Sequence, residues 1–131
     1  MILVDSSVWI DYFNGKKTAQ TDWLDSSLGN IPIMMGDLIL TEVLQGFLND
    51  KDFKAAKDLL LGIPFMSMGG RTLALESAMN DRFLRKKGVT VRKTIDVMIG
   101  TFCIHNHLTL LHDDRDFDPM VKFLGLDVIT A

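Results

Sequence analysis

The chain lacks the material for a disulfide, for a bilayer span and for a uniformly basic surface. Cys103 is the single cysteine among 131 residues, so no internal bridge can form, and a reducing cytoplasm is the expected location. No apolar run approaches the roughly 18 residues needed to cross a membrane. The opening Met1-Ile2-Leu3-Val4-Asp5 has neither the basic start nor the cleavage site of a secretory signal. Repeats, low-complexity tracts and linkers are absent, and the length suits a single domain over residues 1–131. The formal net charge is −3, without the basic balance usual in nucleic-acid binders.

The charge is unevenly placed. Between Arg71 and Lys93, seven basic residues face two acids, so the segment carries +5 and the remainder −8. A basic stretch beside an acid-rich remainder suits a protein that holds cations in one place and phosphates nearby. For the Arg85-Lys86-Lys87 run alone, a solvated helix face is the simpler reading.

Hydrophobic residues make up 47% of the chain, and their spacing switches repeatedly between strand and helix periods. Strands are expected at Ile2–Asp5, Ile31–Met35, weakly at Pro64–Met68, at Leu108–Leu111 and at Asp127–Thr130. Between them, Ser6 and Ser7 offer caps for a helix ending near Gly15, and a second helix runs from about Thr18 to Leu28. Asp37 can cap a helix to about Phe47, and Asp50 starts one that Gly62 stops. Arg71–Lys87 is the longest, and Thr94 caps an almost wholly apolar helix through Asn106. A short helix lies near Phe117–Phe123. Alternation of this kind predicts an α/β fold in which a parallel sheet is covered on both faces. Functional groups in such sheets gather beyond the carboxyl ends of the strands.

Four acidic positions stand out by that rule. Asp5 ends the first strand, and Asp113-Asp114-Arg115-Asp116 follows the fourth. Asp96 lies in the first turn of the apolar helix after Thr94. Glu42 sits within an apolar helix, with Gly46 one turn later leaving space beside it. Each has a plain alternative: Asp5 as a helix cap, Asp96 as an acid favoured at a helix start, the 113–116 run as a solvated turn. Glu42 resists such a reading, because an unpaired buried carboxylate is costly. Taken together, close carboxylates stay ionised cheaply only with a cation among them. Hard oxygen ligands suit Mg²⁺ or Mn²⁺, ions that activate water and stabilise leaving oxygens in phosphodiester cleavage.

Cys103, His105 and His107 match no common zinc spacing and read as packing and surface. His112 is either a general base or, more simply, a partner for Asp113 or Asp114. A receiver domain would need an aspartate ending the third strand, where this chain has Met66-Ser67-Met68. A haloacid-dehalogenase-type phosphatase would need two acids one residue apart after the first strand, where it has Asp5-Ser6-Ser7.

Four segments in order carry a resemblance. They are Val4-Asp5-Ser6-Ser7-Val8-Trp9-Ile10-Asp11, Thr41-Glu42-Val43-Leu44-Gln45-Gly46, Val91-Arg92-Lys93-Thr94-Ile95-Asp96 and Leu110-Leu111-His112-Asp113-Asp114-Arg115-Asp116-Phe117. With their spacing, the chain resembles the PIN-domain family, and within it the VapC-type toxins of VapBC toxin–antitoxin pairs. The resemblance implies a three-layer α/β/α sandwich around a parallel sheet of about five strands. It implies an endoribonuclease using Mg²⁺ or Mn²⁺ on structured RNA such as tRNA or rRNA, a homodimer, a higher toxin–antitoxin assembly and a VapB-type antitoxin. It assigns Asp5, Glu42, Asp96 and Asp114 as catalytic acids, with Asp5, Asp96, Asp114 and Asp116 at the metal and Ser7 in support. Arg92, Arg115 and Arg85 are candidates for RNA contact. His112 departs from the family pattern, where threonine is common, and Asp113 adds a charge. The acid used at that corner is therefore open among Asp113, Asp114 and Asp116, with Asp114 preferred. The alternative is a PIN-like module that binds RNA or protein without cutting.

Overall fold

The computed structural model describes residues 1–131. Strand β1 (Ile2–Val4) leads into α1 (Ser6–Phe13) and α2 (Ala19–Ser27); β2 (Ile33–Gly36) leads into α3 (Asp37–Leu44) and α4 (Asp50–Leu61). After β3 (Phe65–Met66) come α5 (Arg71–Lys86) and α6 (Thr94–His105), then β4 (Thr109–Leu111), a 3₁₀ turn (Arg115–Phe117) and α7 (Asp118–Leu124). The four strands are parallel in the order β3-β2-β1-β4. Two successive crossovers step one way along the sheet, and the crossover through α5 and α6 returns past β1 to its other side. Because such crossovers are right-handed, α1 to α4 cover one face and α5 with α6 the other. That gives the expected three layers.

The direction of travel reverses between β1 and β4. This is the place where loops from adjacent strands part to opposite faces and leave a crevice. Leu3, Val4, Leu110 and Leu111 are wholly buried there, as are Trp9 on one face and Phe117 on the other. Helix α6 runs through the interior, with Asp96, Val97, Ile99, Gly100, Thr101, Phe102 and Cys103 all buried, as its apolar sequence predicts.

Several expected boundaries shift for local reasons. The fifth strand, expected at Asp127–Thr130, is reduced to one parallel bridge between Leu110 and Val128. Only Leu110 is engaged, giving its N–H to Asp127 O and accepting from Ile129 N–H. Strand β3 is shorter than Pro64–Met68 because Met68 N–H turns away to the carboxylate of Asp37 at 2.9 Å. Asp37 is therefore a cross-link inside α3 rather than its cap, which is Gly36. Likewise Asp5, not Ser6 or Ser7, caps α1, and Lys93 rather than Thr94 occupies the cap of α6.

Gly36 fixes how closely β2 and the segment after β3 approach. A Cβ there would lie 2.0 Å from Met68 Sδ, and Met68 is wholly buried. Gly36→Ala should therefore cost about 1–3 kcal/mol through overpacking. Combined with Met68→Ala it should cost less than the sum of the two single changes. Urea unfolding of the four proteins checks this; strictly additive costs would show that the contact is not what excludes a side chain.

Candidate metal centre

Parallel pairing of β1 with β4 puts Asp5 and the Asp113–Asp116 segment at neighbouring strand ends. Asp5 N–H donates to Leu111 O at 2.9 Å, which ties the two ends together. The Asp5 side chain then turns back over α1. Its Oδ2 accepts from Ser7 N–H at 3.0 Å and from Ser7 Oγ at 2.6 Å. Ser7 Oγ in turn accepts from Asp113 N–H at 3.1 Å, so one hydroxyl joins the first strand's acid to the loop after the fourth. Asp5 is 2% exposed, and its Oδ1 is buried without any hydrogen-bond partner.

Asp96 comes from the other face, on the first turn of α6. It is 3% exposed, and its Oδ2 is also buried and unpartnered. The 3₁₀ turn brings Asp114 and Asp116 to it: one carboxylate oxygen from each of Asp96, Asp114 and Asp116 lies within 4.8 Å of the others. Asp114 holds that turn by accepting from Asp116 N–H at 2.9 Å, while its own N–H donates to His112 Nδ1 at 3.1 Å. His112 also packs on Phe117, with ring centroids 5.0 Å apart, so it shapes the acidic loop. Glu42 is half-buried on α3, and its Oε1 accepts from Ser6 Oγ at 3.0 Å.

The electrostatics follow from this crowding. Burial pushes the Asp96 carboxyl up to about 7, with the charge of Asp5 next in weight and Asp114 and Glu42 adding; Lys93 opposes the rise. Burial also raises Asp5, against the pull of its Ser7 bonds, and raises Glu42, where Ser6 pulls downward and Asp5 pushes upward. Three converging carboxylates, with an orphaned buried oxygen on Asp96 among them and another on Asp5, are a poor arrangement for an empty pocket. They fit a hard divalent cation, which supplies the missing positive charge and takes oxygen donors.

The structure separates the remaining candidates. Asp113 is exposed and contributes a backbone N–H, not a carboxylate, to the group. Arg92 Nε pairs with Asp116 Oδ2 at 3.2 Å, and with Arg115 it lines an open polar cleft beside the acids. Arg85 is elsewhere: it pairs with Asp81 at 3.1 Å and lines a cleft between α5 and α6. Two contributors were not singled out from sequence. Ser6 was read only as a cap, although a serine pair directly after a strand-end acid was the available signal. Lys93 was counted only within the basic stretch. Cys103, buried and with its thiol pushed up to about 12, has no part in the site.

Asp96 gives a pH signature. Its folded value of about 7 exceeds its ordinary 3.8, so the folded chain binds the extra proton between those limits. The resulting stability is fully present below about pH 4 and is lost as pH rises through about 7. In chelator-treated protein, the Tm of the wild type should therefore fall relative to that of Asp96→Asn across this window. A difference that stays constant from pH 4 to 7.5 would contradict the strained carboxylate.

Comparison with known proteins bears on the fold and the family. The PIN domain family model matches residues 2–122. Ribonuclease VapC11 of Mycobacterium tuberculosis and a VapC ribonuclease of Mycobacterium bovis are each 28% identical over 128 residues, covering 96% of both chains. Among solved structures, VapBC2 of Rickettsia felis, bound to a DNA fragment from its promoter, superposes with a TM-score of 0.77 at 15% identity, covering 98% of each chain. FitAcB of Neisseria gonorrhoeae gives 0.77 at 17% identity, covering 99% of this chain and 97% of that one. VapC20 of M. tuberculosis, a toxin that cleaves the sarcin–ricin loop, gives 0.68 at 16%, covering 90% and 93%. The family model spans all four acidic segments, and the chain belongs to the PIN-domain family.

Proposed function

We propose that this chain is a Mg²⁺- or Mn²⁺-dependent endoribonuclease, the toxin of a VapBC-type pair, acting in the cytoplasm on structured RNA such as tRNA or rRNA. The observation that carries the reading is the group of three carboxylates, with an unpartnered buried oxygen on its own Asp96 and another on Asp5. A binding-only module has no need to sustain that repulsion. The VapC ribonucleases among its relatives point the same way.

Asp96, Asp114 and Asp116 are the groups that would hold the cation; Asp5, expected at the metal from sequence, lies outside that group, with its Oδ1 buried and unpartnered. When bound, a divalent cation neutralises phosphate charge and makes a water more acidic. The chain's own residues do the rest. Ser7 locks Asp5 in one orientation through two hydrogen bonds to Oδ2, leaving Oδ1 for the site. Glu42, anchored at Oε1 by Ser6, has its second oxygen available to orient the attacking water and take its proton. Arg92 and Arg115, at the mouth of the cleft, are placed to meet a phosphate. In-line attack by water leaves a 5′-phosphate and a 3′-hydroxyl, with the RNA 2′-hydroxyl uninvolved.

Partners follow from the exposed surface and from the neighbours. Several similar structures are toxin–antitoxin complexes, which supports a VapB-type antitoxin and a larger assembly. An arginine from such a partner would find a ready acidic pocket. Helix α5 leaves Leu75, Met79 and Phe83 exposed on one stripe, and we assign it to a second copy of this chain in a homodimer.

Purified protein should cut structured RNA with Mn²⁺ or Mg²⁺, and not in EDTA. Asp96→Asn should lower the rate by about two orders of magnitude or more. Ser7→Ala should lower it about 10- to 100-fold while keeping the fold, because it only positions Asp5. Cleavage is read on gels, with end chemistry checked by phosphatase and ligase treatment. A 2′,3′-cyclic phosphate product, or equal cutting by Asp96→Asn, would overturn the mechanism. A wild type that neither cuts RNA nor gains Tm with Mn²⁺ would leave the binding-only module.

A further inference from the structure

On the far side of α6 from the acids lies a second cleft, of about 370 Å³, walled by Ala74 and Ala78 of α5 and by Val97 and Met98 of α6. This is within the size range of small-ligand sites. Its rim carries Arg82 and Arg85 from α5, with Thr94 at the end nearest the metal centre. The hollow exists because α5 presents alanine and serine to α6 at these positions. Ser77, at its floor, is 5% exposed, and its Oγ has no hydrogen-bond partner.

The position of the cleft suggests what fills it. Thr94 and Asp96 lie on opposite sides of the first turn of α6, so cleft and acids are about one helix diameter apart, roughly 10–12 Å. A nucleic-acid strand whose phosphate sits at the acids must pass over or beside this turn. The rim offers two guanidinium groups for a neighbouring phosphate: Arg82, which is in no ion pair, and Arg85, which shares the rim with its partner Asp81. The cleft's apolar walls accept the flat face of a base, and a lone hydroxyl at the floor can meet a base edge. Over the rest of the surface the chain is acidic, so a polyanion has few other routes.

We propose that the α5–α6 cleft is a base-binding subsite. It seats a nucleotide next to the one that is cut, with Arg82 and Arg85 on its phosphate and Ala78, Val97 and Met98 against the base. The inference rests on the nuclease reading above and adds to it a source of sequence preference. Arg85, set apart from the acids, then has a role in RNA binding after all, one subsite away. Its ion pair with Asp81 holds the guanidinium at the rim, since the two lie one turn apart on α5.

The test is cleavage of a randomised RNA oligonucleotide pool with Mn²⁺, sequencing the cut ends. The wild type should prefer certain bases at a position flanking the cut. Ala78→Leu, which fills the cleft, should weaken that preference and raise KM about tenfold. Arg82→Glu, on the exposed rim, should raise KM without requiring any repacking, so it keeps the test independent of folding. In both variants the Mn²⁺-induced rise in Tm should equal that of the wild type. If both keep the wild-type base preference and KM, the cleft is not a subsite and the nuclease reading stands. If the wild type itself cuts no RNA in the pool, while Mn²⁺ still raises its Tm, the subsite falls along with the RNA substrate but the metal centre does not.

Discussion

The burial and crowding of carboxylates is the constraint on which this structure turns. Asp5 and Asp96 are buried and Asp114 and Asp116 half-buried, and burial first, with the charge of Asp5 next, pushes the Asp96 carboxyl up to about 7. What holds them in place is backbone: the β1–β4 pairing, the α6 axis and the 3₁₀ turn are fixed by hydrogen bonds and by a core of wholly buried side chains such as Leu3, Val4, Leu110 and Leu111. The core thus sustains strain at one point, and a bound cation would relieve it. Binding free energy and folding free energy are then linked, because a site that is strained when empty gains more from being filled.

The topology explains why the strain falls where it does. A sheet whose connections all ran in one direction would carry its crossovers on one face and have no point where loops from adjacent strands part to opposite faces. Here the direction reverses between β1 and β4, and the two strand ends face an opening. Asp5 reaches it from one strand and Asp114 and Asp116 from the other. Glu42 enters on the helix after β2, and Asp96 on the helix before β4. Hydroxyls then tie these arrivals together: Ser7 spans Asp5 and Asp113, and Ser6 reaches Glu42. None of these bonds is local to a single element except the Asp5–Ser7 pair.

This difference between local and distant contacts also decides how much could be read in advance. The parallel α/β architecture, the long Arg71 helix and the buried Thr94 helix are written in hydrophobic period, which is a property of neighbours in sequence. The acids were legible because strand-end position is a simple rule. The caps were less so. Asp37 reads as a helix cap, yet it spends its carboxylate on Met68 N–H, 31 residues away, and this shortens β3. The fifth strand was expected from four residues of suitable composition, but only Leu110 pairs with it. The choice among Asp113, Asp114 and Asp116 depended on the 3₁₀ turn. That turn is set by Asp114 accepting from Asp116 N–H and by His112 against Phe117, contacts that composition does not encode.

The proposed substrate is a polyanion and the chain is acidic, a conflict that eases once charge is located. Of the net charge, the segment from Arg71 to Lys93 holds +5 and the rest −8, and the structure folds that segment along α5 and into the start of α6. Arg82 and Arg85 then lie on one side of the first turn of α6, and Arg92 on the side of the acids, paired with Asp116. Near the metal centre, the bare carboxylates would repel phosphate, and Arg92 and Lys93 offset only part of that charge. A divalent cation there would offset much of the remaining negative charge locally, within a screening length of about 8–10 Å at moderate salt. Beyond that length the field is set by the fixed arginines of α5. Metal loading should therefore govern whether phosphate can enter the crevice, while α5 governs where the strand lies outside it, and the two contributions should respond differently to added salt.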